Sequence, residues 1–425
     1  MAGQVDEIIT MRVDNRDFLR SFVRIGLLSF GGPAAQIALM QSELVERLGW
    51  LDQRQFLGAL SFCMLLPGPE AMQLATYAGW RLRGVAGGLI AGLLFVVPGA
   101  IAILALALAY AIWGDVPLVA ALFSGVKAAV LVIVAMALWR LAGRALEGRA
   151  QRVLAVLAFA AIYMAALPFP AVIAAAAAWG AWAARGTARE AAPPIEPGQN
   201  ARTARTIAIW SALWAAPVLG AYAAGASFLV AIATFFSKLA VVTFGGAYAV
   251  LAYMTQTVTQ THGWISADQM IDALGLAETT PGPLILVTQF VAMLAGFGEG
   301  GIPMALAAGA MALWVTFAPC FLWIFAGAPY LERALAQPRL RGALAAISAA
   351  VVGVIANLSL WFGLNVLFGR VLHSPIGAYP DLATLDPGAA ALTVLAALLL
   401  AGLRLLMLPG LALMAAAGGL LHVIA

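Results

Sequence analysis

Long apolar stretches fill this chain from end to end, and short polar links carry most of its charge. A helix needs roughly 20 apolar residues to cross a bilayer. After a polar segment, 1–17, the first apolar stretch covers 18–40 and is interrupted at Gly31-Gly32-Pro33. A link with Glu43, Glu46, Arg47, Asp52 and Arg54 leads to a second interrupted stretch, 55–80, closed by Arg81 and Arg83. Uninterrupted spans are predicted over 84–113 and 118–139, joined by a tight turn at Gly114-Asp115-Val116-Pro117. A basic loop with Arg140, Arg144, Arg149 and Arg152 follows, and 153–184, broken at Pro168-Phe169-Pro170, reads as a short helical hairpin. One further span, 206–225, lies beyond a polar linker. Two broken stretches then return within 228–297, followed by two full spans, 302–330 and 340–368. A polar loop, 370–387, precedes a final hairpin, 389–406 and 409–425. The runs are too long and alternate too little for a β-barrel.

The return is a repeat. Phe30-Gly31-Gly32, Gly49-Trp50 and Pro67-Gly68-Pro69 recur 214 residues later as Phe244-Gly245-Gly246, Gly263-Trp264 and Pro281-Gly282-Pro283. The 40 positions align without a gap and share 14 identities, where composition alone gives roughly 4. Two copies of one unit follow: 1–184, with its core at 18–140, and 207–425, with its core at 228–368. The polar linker, 185–206, is expected in the cytoplasm. Gly-Gly and Pro-Gly-Pro stop helices, and in a bilayer such breaks survive only where protein or a water-filled cavity satisfies the freed backbone. Paired breaks in two halves mark the substrate region of a secondary transporter.

Composition confirms the class. The chain of 425 residues is 64% hydrophobic and 10% charged, with mean hydropathy +0.97, which excludes soluble and disordered chains. Residues 1–17 lack the apolar core of a signal peptide, so the first helix is expected to act as the insertion signal. Charge also orients the pieces. Arg12, Arg16, Arg20, Arg81, Arg83 and the 140–152 loop place one face of the first copy inside and the Asp115 turn outside. In the second copy the bias reverses: Glu299 stands near the place of Arg81 and Arg83, and Arg333, Arg339 and Arg341 near that of Asp115. The span 206–225 supplies the crossing that inverts it. The expected fold is an all-α polytopic membrane protein of two inverted-topology repeats with broken or re-entrant helices, about 10–13 membrane segments in all. The net charge of +4 lies in loops, where topology explains it, and implies no nucleic-acid partner.

Several polar residues in the apolar stretches are candidates for chemistry. Arg24 and Lys238 are aligned by the same offset, each six residues before Phe-Gly-Gly, or about 9 Å along a helix. They either offset the charge of an anion or snorkel to the interface. Lys127 lies deep in its span and either serves function or pairs with Glu70 or Glu278. Pro67, Pro69, Pro281 and Pro283, with Pro33, break helices whose free N–H groups favour anions. Gly31, Gly32, Gly68, Gly245, Gly246 and Gly282 permit close backbone approach or helix packing. Gln73, Thr279, Thr280 and Gln289 offer uncharged hydrogen bonds, to substrate or between helices. Glu70 and Glu278 beside the breaks suit a protonatable coupling role, with an N-cap contact as the alternative for Glu70. His262, beside Gly263-Trp264, is a weaker candidate. The histidines and the two cysteines, Cys63 and Cys320, lack metal-ligand spacing, so no metal is expected. Without a nucleotide loop or a nucleophile–base set, neither an enzyme, a cofactor nor an ATP-driven pump is implied.

At these motifs the sequence resembles the chromate ion transporter family in its long, two-domain form. The carrying strings are 29–36 (Ser-Phe-Gly-Gly-Pro-Ala-Ala-Gln), 65–77 around Pro67-Gly68-Pro69-Glu70 and Gln73, and 93–99 ending in Pro98-Gly99. In the second half they are 243–246, 275–284 around Glu278-Thr279-Thr280-Pro281-Gly282-Pro283, and Gln289-Phe290. The resemblance implies a multi-pass bacterial inner-membrane protein that exports chromate, driven by the proton gradient or the membrane potential, with sulfate as a competing or alternative substrate. It also implies that the halves correspond to short members that work as pairs; a homodimer of the long chain stays open. The alternatives are a carrier of sulfate or another oxyanion, a passive anion channel and a membrane scaffold.

Overall fold

The structure is a computed structural model that describes residues 13–30, 32–114, 116–187, 197–244, 247–374 and 377–424. Gly31, Gly245, Gly246, the Asp115 turn residue and the middle of the linker lie outside the described residues. The first copy comprises α1 (Asn15–Leu28), α2 (Gly32–Gln41), α3 (Gln53–Leu65), α4 (Glu70–Trp113) and α5 (Pro117–Ala145). The hairpin α6 (Arg149–Tyr163) and α7 (Phe169–Ala183) and the lone helix α8 (Gln199–Ala223) connect it to the second. There α9 (Ser227–Val242), α10 (Ala247–Gln256), α11 (Ala267–Thr279) and α12 (Val287–Gly327) repeat the order; the short α13 (Leu331–Leu335) and α14 (Pro338–Leu367) follow. The chain ends in a β-hairpin, α15 (Pro387–Ala396) and α16 (Met407–Ile424). It is an all-α polytopic membrane protein with, among the described residues, five helices long and apolar enough to span a bilayer and several shorter ones.

The repeat holds at the level of the backbone. A π-helical turn extends both α2 (Ser42–Arg47) and α10 (Thr257–Thr261). Glycine in the left-handed region then reverses the chain, Gly49 at φ 61° and Gly263 at φ 62°, a conformation that favours residues without a Cβ. A capping box starts the next helix each time, Asp52 with Gln55 and Ser266 with Gln269, satisfying two free donors reciprocally. Trp50 stacks on Phe18 with centroids 6.3 Å apart, and Trp264 packs edge-on against Phe228 at 6.2 Å. The exit of each second helix therefore returns to the entrance of the first. Each pair is a V-shaped re-entrant hairpin with the Phe-Gly-Gly break at its tip, not one span interrupted midway.

The long helices α4 and α12 are hairpins too. Arg83 (φ −146°, ψ 25°) and Gly84 (φ 63°, ψ −157°) break α4, and Gly300 (−158°, 29°) and Gly301 (65°, −155°) break α12 in the same way. The arms lie close enough that a Cβ on Gly79 would stand 2.3 Å from the Gly87 carbonyl oxygen, and one on Gly296 2.6 Å from that of Met304. Small residues thus let the backbones touch. Arg83 donates to the Val13 carbonyl and to Asn15 Oδ1, and its guanidinium lies over the Phe18 ring. The turn of the α4 hairpin therefore sits beside the start of α1. The second arm of α4 and then α5 cross and return, α6 and α7 pack as a hairpin along α14, and α8 crosses once. The charge pattern predicts that the second copy enters from the opposite face. Tyr330 Oη fixes the start of α8 by donating to Asn200 Oδ1 (2.9 Å) while hydrogen-bonding the Thr203 hydroxyl (3.1 Å). The inner arm of α12 is buried along its length, whereas α8 buries only Ala221 and stands at the periphery.

The loop expected over 370–387 contains a feature that the sequence did not announce. β1 (Val371–Ser374) and β2 (Gly377–Pro380) form an antiparallel hairpin pairing Val371 with Pro380 and Ser374 with Gly377. Tyr163 Oη, at the α6–α7 turn, donates to the Ala378 carbonyl and ties the hairpin down. Strands of four residues are too short for alternation to show.

Candidate functional site

The four breaks meet in the interior, and they meet crosswise. The Gly68 N–H of the first Pro-Gly-Pro donates to the Thr243 carbonyl at the second Phe-Gly-Gly tip, at 2.8 Å. The Gly282 N–H of the second Pro-Gly-Pro donates to the Ser29 carbonyl at the first, at 2.9 Å. Both bonds join positions related by the 214-residue offset, so the crossing has an approximate two-fold axis. Each tip leaves backbone groups that its own half does not satisfy, and the other half satisfies them. Gly68 (φ 120°) and Gly282 (φ 87°) adopt backbone conformations that disfavour a side chain. A Cβ on Gly68 would lie 2.8 Å from Gln73 Nε2 and 3.0 Å from Cys320 Sγ; one on Gly282 would lie 3.3 Å from the Phe95 carbonyl oxygen.

Three buried glutamines stitch the crossing. Gln36 Nε2 donates to the Gly282 carbonyl at 2.7 Å and to the Ser29 carbonyl at 3.3 Å, holding both tips of one bond. Gln73 Nε2 donates to the Pro67 carbonyl at 2.7 Å, and Gln289 Nε2 to the Ala100 carbonyl at 3.0 Å. The amide oxygens of all three are buried and have no hydrogen-bond partner among the described residues. Unpaired buried acceptors cost free energy, so these oxygens mark where a donor, a water or a protonated group gains most. Thr279 and Thr280 return their hydroxyl protons to Leu276 and Ala277, which leaves oxygen lone pairs free. Glu70 opens α4 directly after Pro69 and has no ion-pair partner among the described residues; Glu278 is buried at the end of α11. Gly32 lies beside the first tip at φ 78°. Pro33 sits in the first turn of α2, and Pro69 and Pro283 precede the helical turns beyond the breaks.

The cations lie away from this centre. Arg24, half exposed, pairs through Nε with Glu43 Oε1 at 3.3 Å, and Arg47 pairs with Glu43 Oε2 at 2.5 Å. Glu43 itself is 4% exposed, so a buried carboxylate anchors two arginines on the side where the first copy enters. Lys238 is exposed, with Nζ 5.8 Å from the Tyr253 ring centroid. Lys127 pairs with neither Glu70 nor Glu278. Its Nζ donates to Asp268 Oδ1 at 3.0 Å and lies 3.6 Å from Asp272 Oδ1. Asp272 is buried and accepts from Tyr110 Oη at 2.7 Å. Sequence reasoning passed over Asp272, Tyr110 and Gln36. Asp272 carried one signal, an acidic residue inside an apolar segment.

A duplicated set of broken helices whose tips cross in the interior, within a chain of long apolar helices, defines a polytopic membrane transporter. The chain belongs to the chromate transporter family, whose model matches residues 16–181 and 230–422, one region in each half. The chain is 29% identical over 348 residues to the chromate transport protein of Cupriavidus metallidurans, covering 80% of this chain and 81% of that one. It is 31% identical over 345 residues to the chromate transport protein of Pseudomonas aeruginosa (80% and 79%), and 28% identical over 368 residues to a probable chromate transport protein of Synechococcus elongatus (82% and 83%). No solved structure matches the chain. The protein is a multi-pass protein of the cytoplasmic membrane.

Proposed function

We propose that the protein is a secondary active transporter that exports chromate, a tetrahedral divalent oxyanion, using the proton gradient or the membrane potential. The observation that carries this reading is the crossed docking of Gly68 on Thr243 and of Gly282 on Ser29. Two broken helices from each face meet there, so a rocking of one half against the other exchanges backbone hydrogen bonds for contacts with a bound anion. The names of the relatives support chromate as the substrate. Chromate passes between the Gly-Gly and Pro-Gly-Pro breaks. Backbone N–H groups and the remaining amide protons of Gln73 and Gln289 bind its oxygens there, Thr279 and Thr280 join once their hydroxyl protons turn away from Leu276 and Ala277, and Glu70 or Glu278 carries the proton. Arg24, Lys238 and Lys127 offset its charge from a distance. Of the three, Lys127 meets the anion only when Asp268 and Asp272 release it.

The test is uptake of labelled chromate into inside-out vesicles, with and without a proton gradient and with excess sulfate. Gradient-dependent uptake that sulfate weakens only modestly is expected. Uptake abolished by low sulfate reassigns the protein to a sulfate-type carrier. Flux that follows the anion's own gradient without pH dependence makes it a channel, and no uptake above empty vesicles ends the transport reading. Arg24→Ala and Lys238→Ala are expected to abolish uptake while the protein stays in the membrane; wild-type flux in both removes the cations from the proposal.

A further inference from the structure

A cavity of about 450 Å³ lies apart from the crossing, between the α6–α7 turn, α10 with its π-helical turn, the second half of α14 and the β-hairpin. The charge pattern assigns these elements to the outer face. At about 30 Å³ per water, the space holds a tetrahedral anion with part of its hydration shell. Its polar lining includes Thr255, Gln256, Thr259 and Gln260 from α10 and the turn, Asn357 and Asn365 from α14, and Tyr163 and Ser374; Thr259 already donates to the Thr255 carbonyl and Asn365 spends one amide proton on the Trp361 carbonyl. The described lining contains no carboxylate and no cation. Thr255 is 2% exposed, and its hydroxyl has no hydrogen-bond partner among the described residues. An unpaired buried hydroxyl on a cavity wall is a cost that a bound acceptor removes.

We propose that this cavity is a second oxyanion site, on the outward side of the crossing, that holds the anion through uncharged donors alone. The inference rests on the transport reading and adds a place to it. Hydroxyl and amide donors suit a ligand that only accepts hydrogen bonds. The absence of carboxylates in the described lining spares a dianion repulsion, and the absence of a cation keeps the hold weak enough for release. The site belongs to one half. The positions aligned with the lining residues Thr255, Gln256, Thr259 and Gln260 are Gln41, Ser42, Val45 and Glu46, and Glu43 of that same turn is bound to Arg24 and Arg47. The inward counterpart of an uncharged vestibule is thus an ion cluster.

The experiment uses Thr255→Val and Asn357→Leu in the full-length protein, with labelled chromate entering right-side-out vesicles from the outer face and inside-out vesicles from the inner face. A lost hydrogen bond to a charged ligand is expected to raise the outer-face KM about tenfold in each variant. The inner-face KM is expected to stay within about twofold of wild type. Thr255→Val is also expected to keep or raise Tm, because it removes a buried hydroxyl that has no partner. An unchanged outer-face KM, or a rise of equal size on both faces, overturns the cavity site and leaves the transport reading standing. A wild type that moves no chromate in either vesicle overturns the transport reading itself.

Discussion

At the scale of the residue, the interior is held by a few polar side chains whose partners come from distant sequence. Lys127 and Asp272 are the sharpest case. Removing Lys127 leaves a buried carboxylate with, among the described residues, Tyr110 alone bonded to it, and breaking one side of a buried pair costs several kcal/mol. Lys127 keeps 22% of its side chain accessible, so Lys127→Ala is expected near the low end, about 3 kcal/mol. The double variant Lys127→Ala/Asp272→Ala is expected to recover part of that loss in thermal melts of detergent-solubilised protein. Purely additive losses dismiss the pair. Gln36→Leu is expected to lower chromate uptake strongly, since one amide holds both the Ser29 and the Gly282 carbonyls; the uptake assay reads it directly. The glycines and prolines of the breaks were legible because each acts through its own backbone. The cross-chain partners were not, because nothing in the local sequence of Asp272 points to Lys127.

At the scale of the element, the stops were legible and the turns between them were less so. Gly-Gly and Pro-Gly-Pro state that a helix ends, but the direction in which the chain leaves is decided by packing. Trp50 on Phe18 and Trp264 against Phe228 fold each pair into a V. The hairpin turns in α4 and α12 rest on Gly84 and Gly301, whose φ and ψ lie in a region open essentially to glycine. Gly84→Ala and Gly301→Ala are therefore expected to cost about 1–3 kcal/mol each, read as a fall in Tm. A melting temperature within error of wild type in both places the strain elsewhere. The β-hairpin over 371–380 escaped notice for a plainer reason: four residues per strand carry too little pattern.

At the scale of the whole molecule, the reversal of the charge bias between the copies predicts opposite orientations, and the single crossing of α8 provides the means. Exposed cysteines placed one at a time at Glu147 and Leu382 are expected to react with a membrane-impermeant label from opposite faces. Cys63 and Cys320 are buried and leave a quiet background. Labelling of both positions from one face overturns the inverted arrangement.

The crossing also has a history in time. Ser29 and Gly68 leave the ribosome long before Thr243 and Gly282 exist, yet each waits for one of them. Until then the first half sits in the bilayer with two raw tips, which only water can serve. A newborn half must therefore be wet at its centre, and completion of the second half drives that water out. On the proposed rocking cycle, biogenesis and transport share a step: the solvated, parted tips that precede assembly are the state to which the cycle returns.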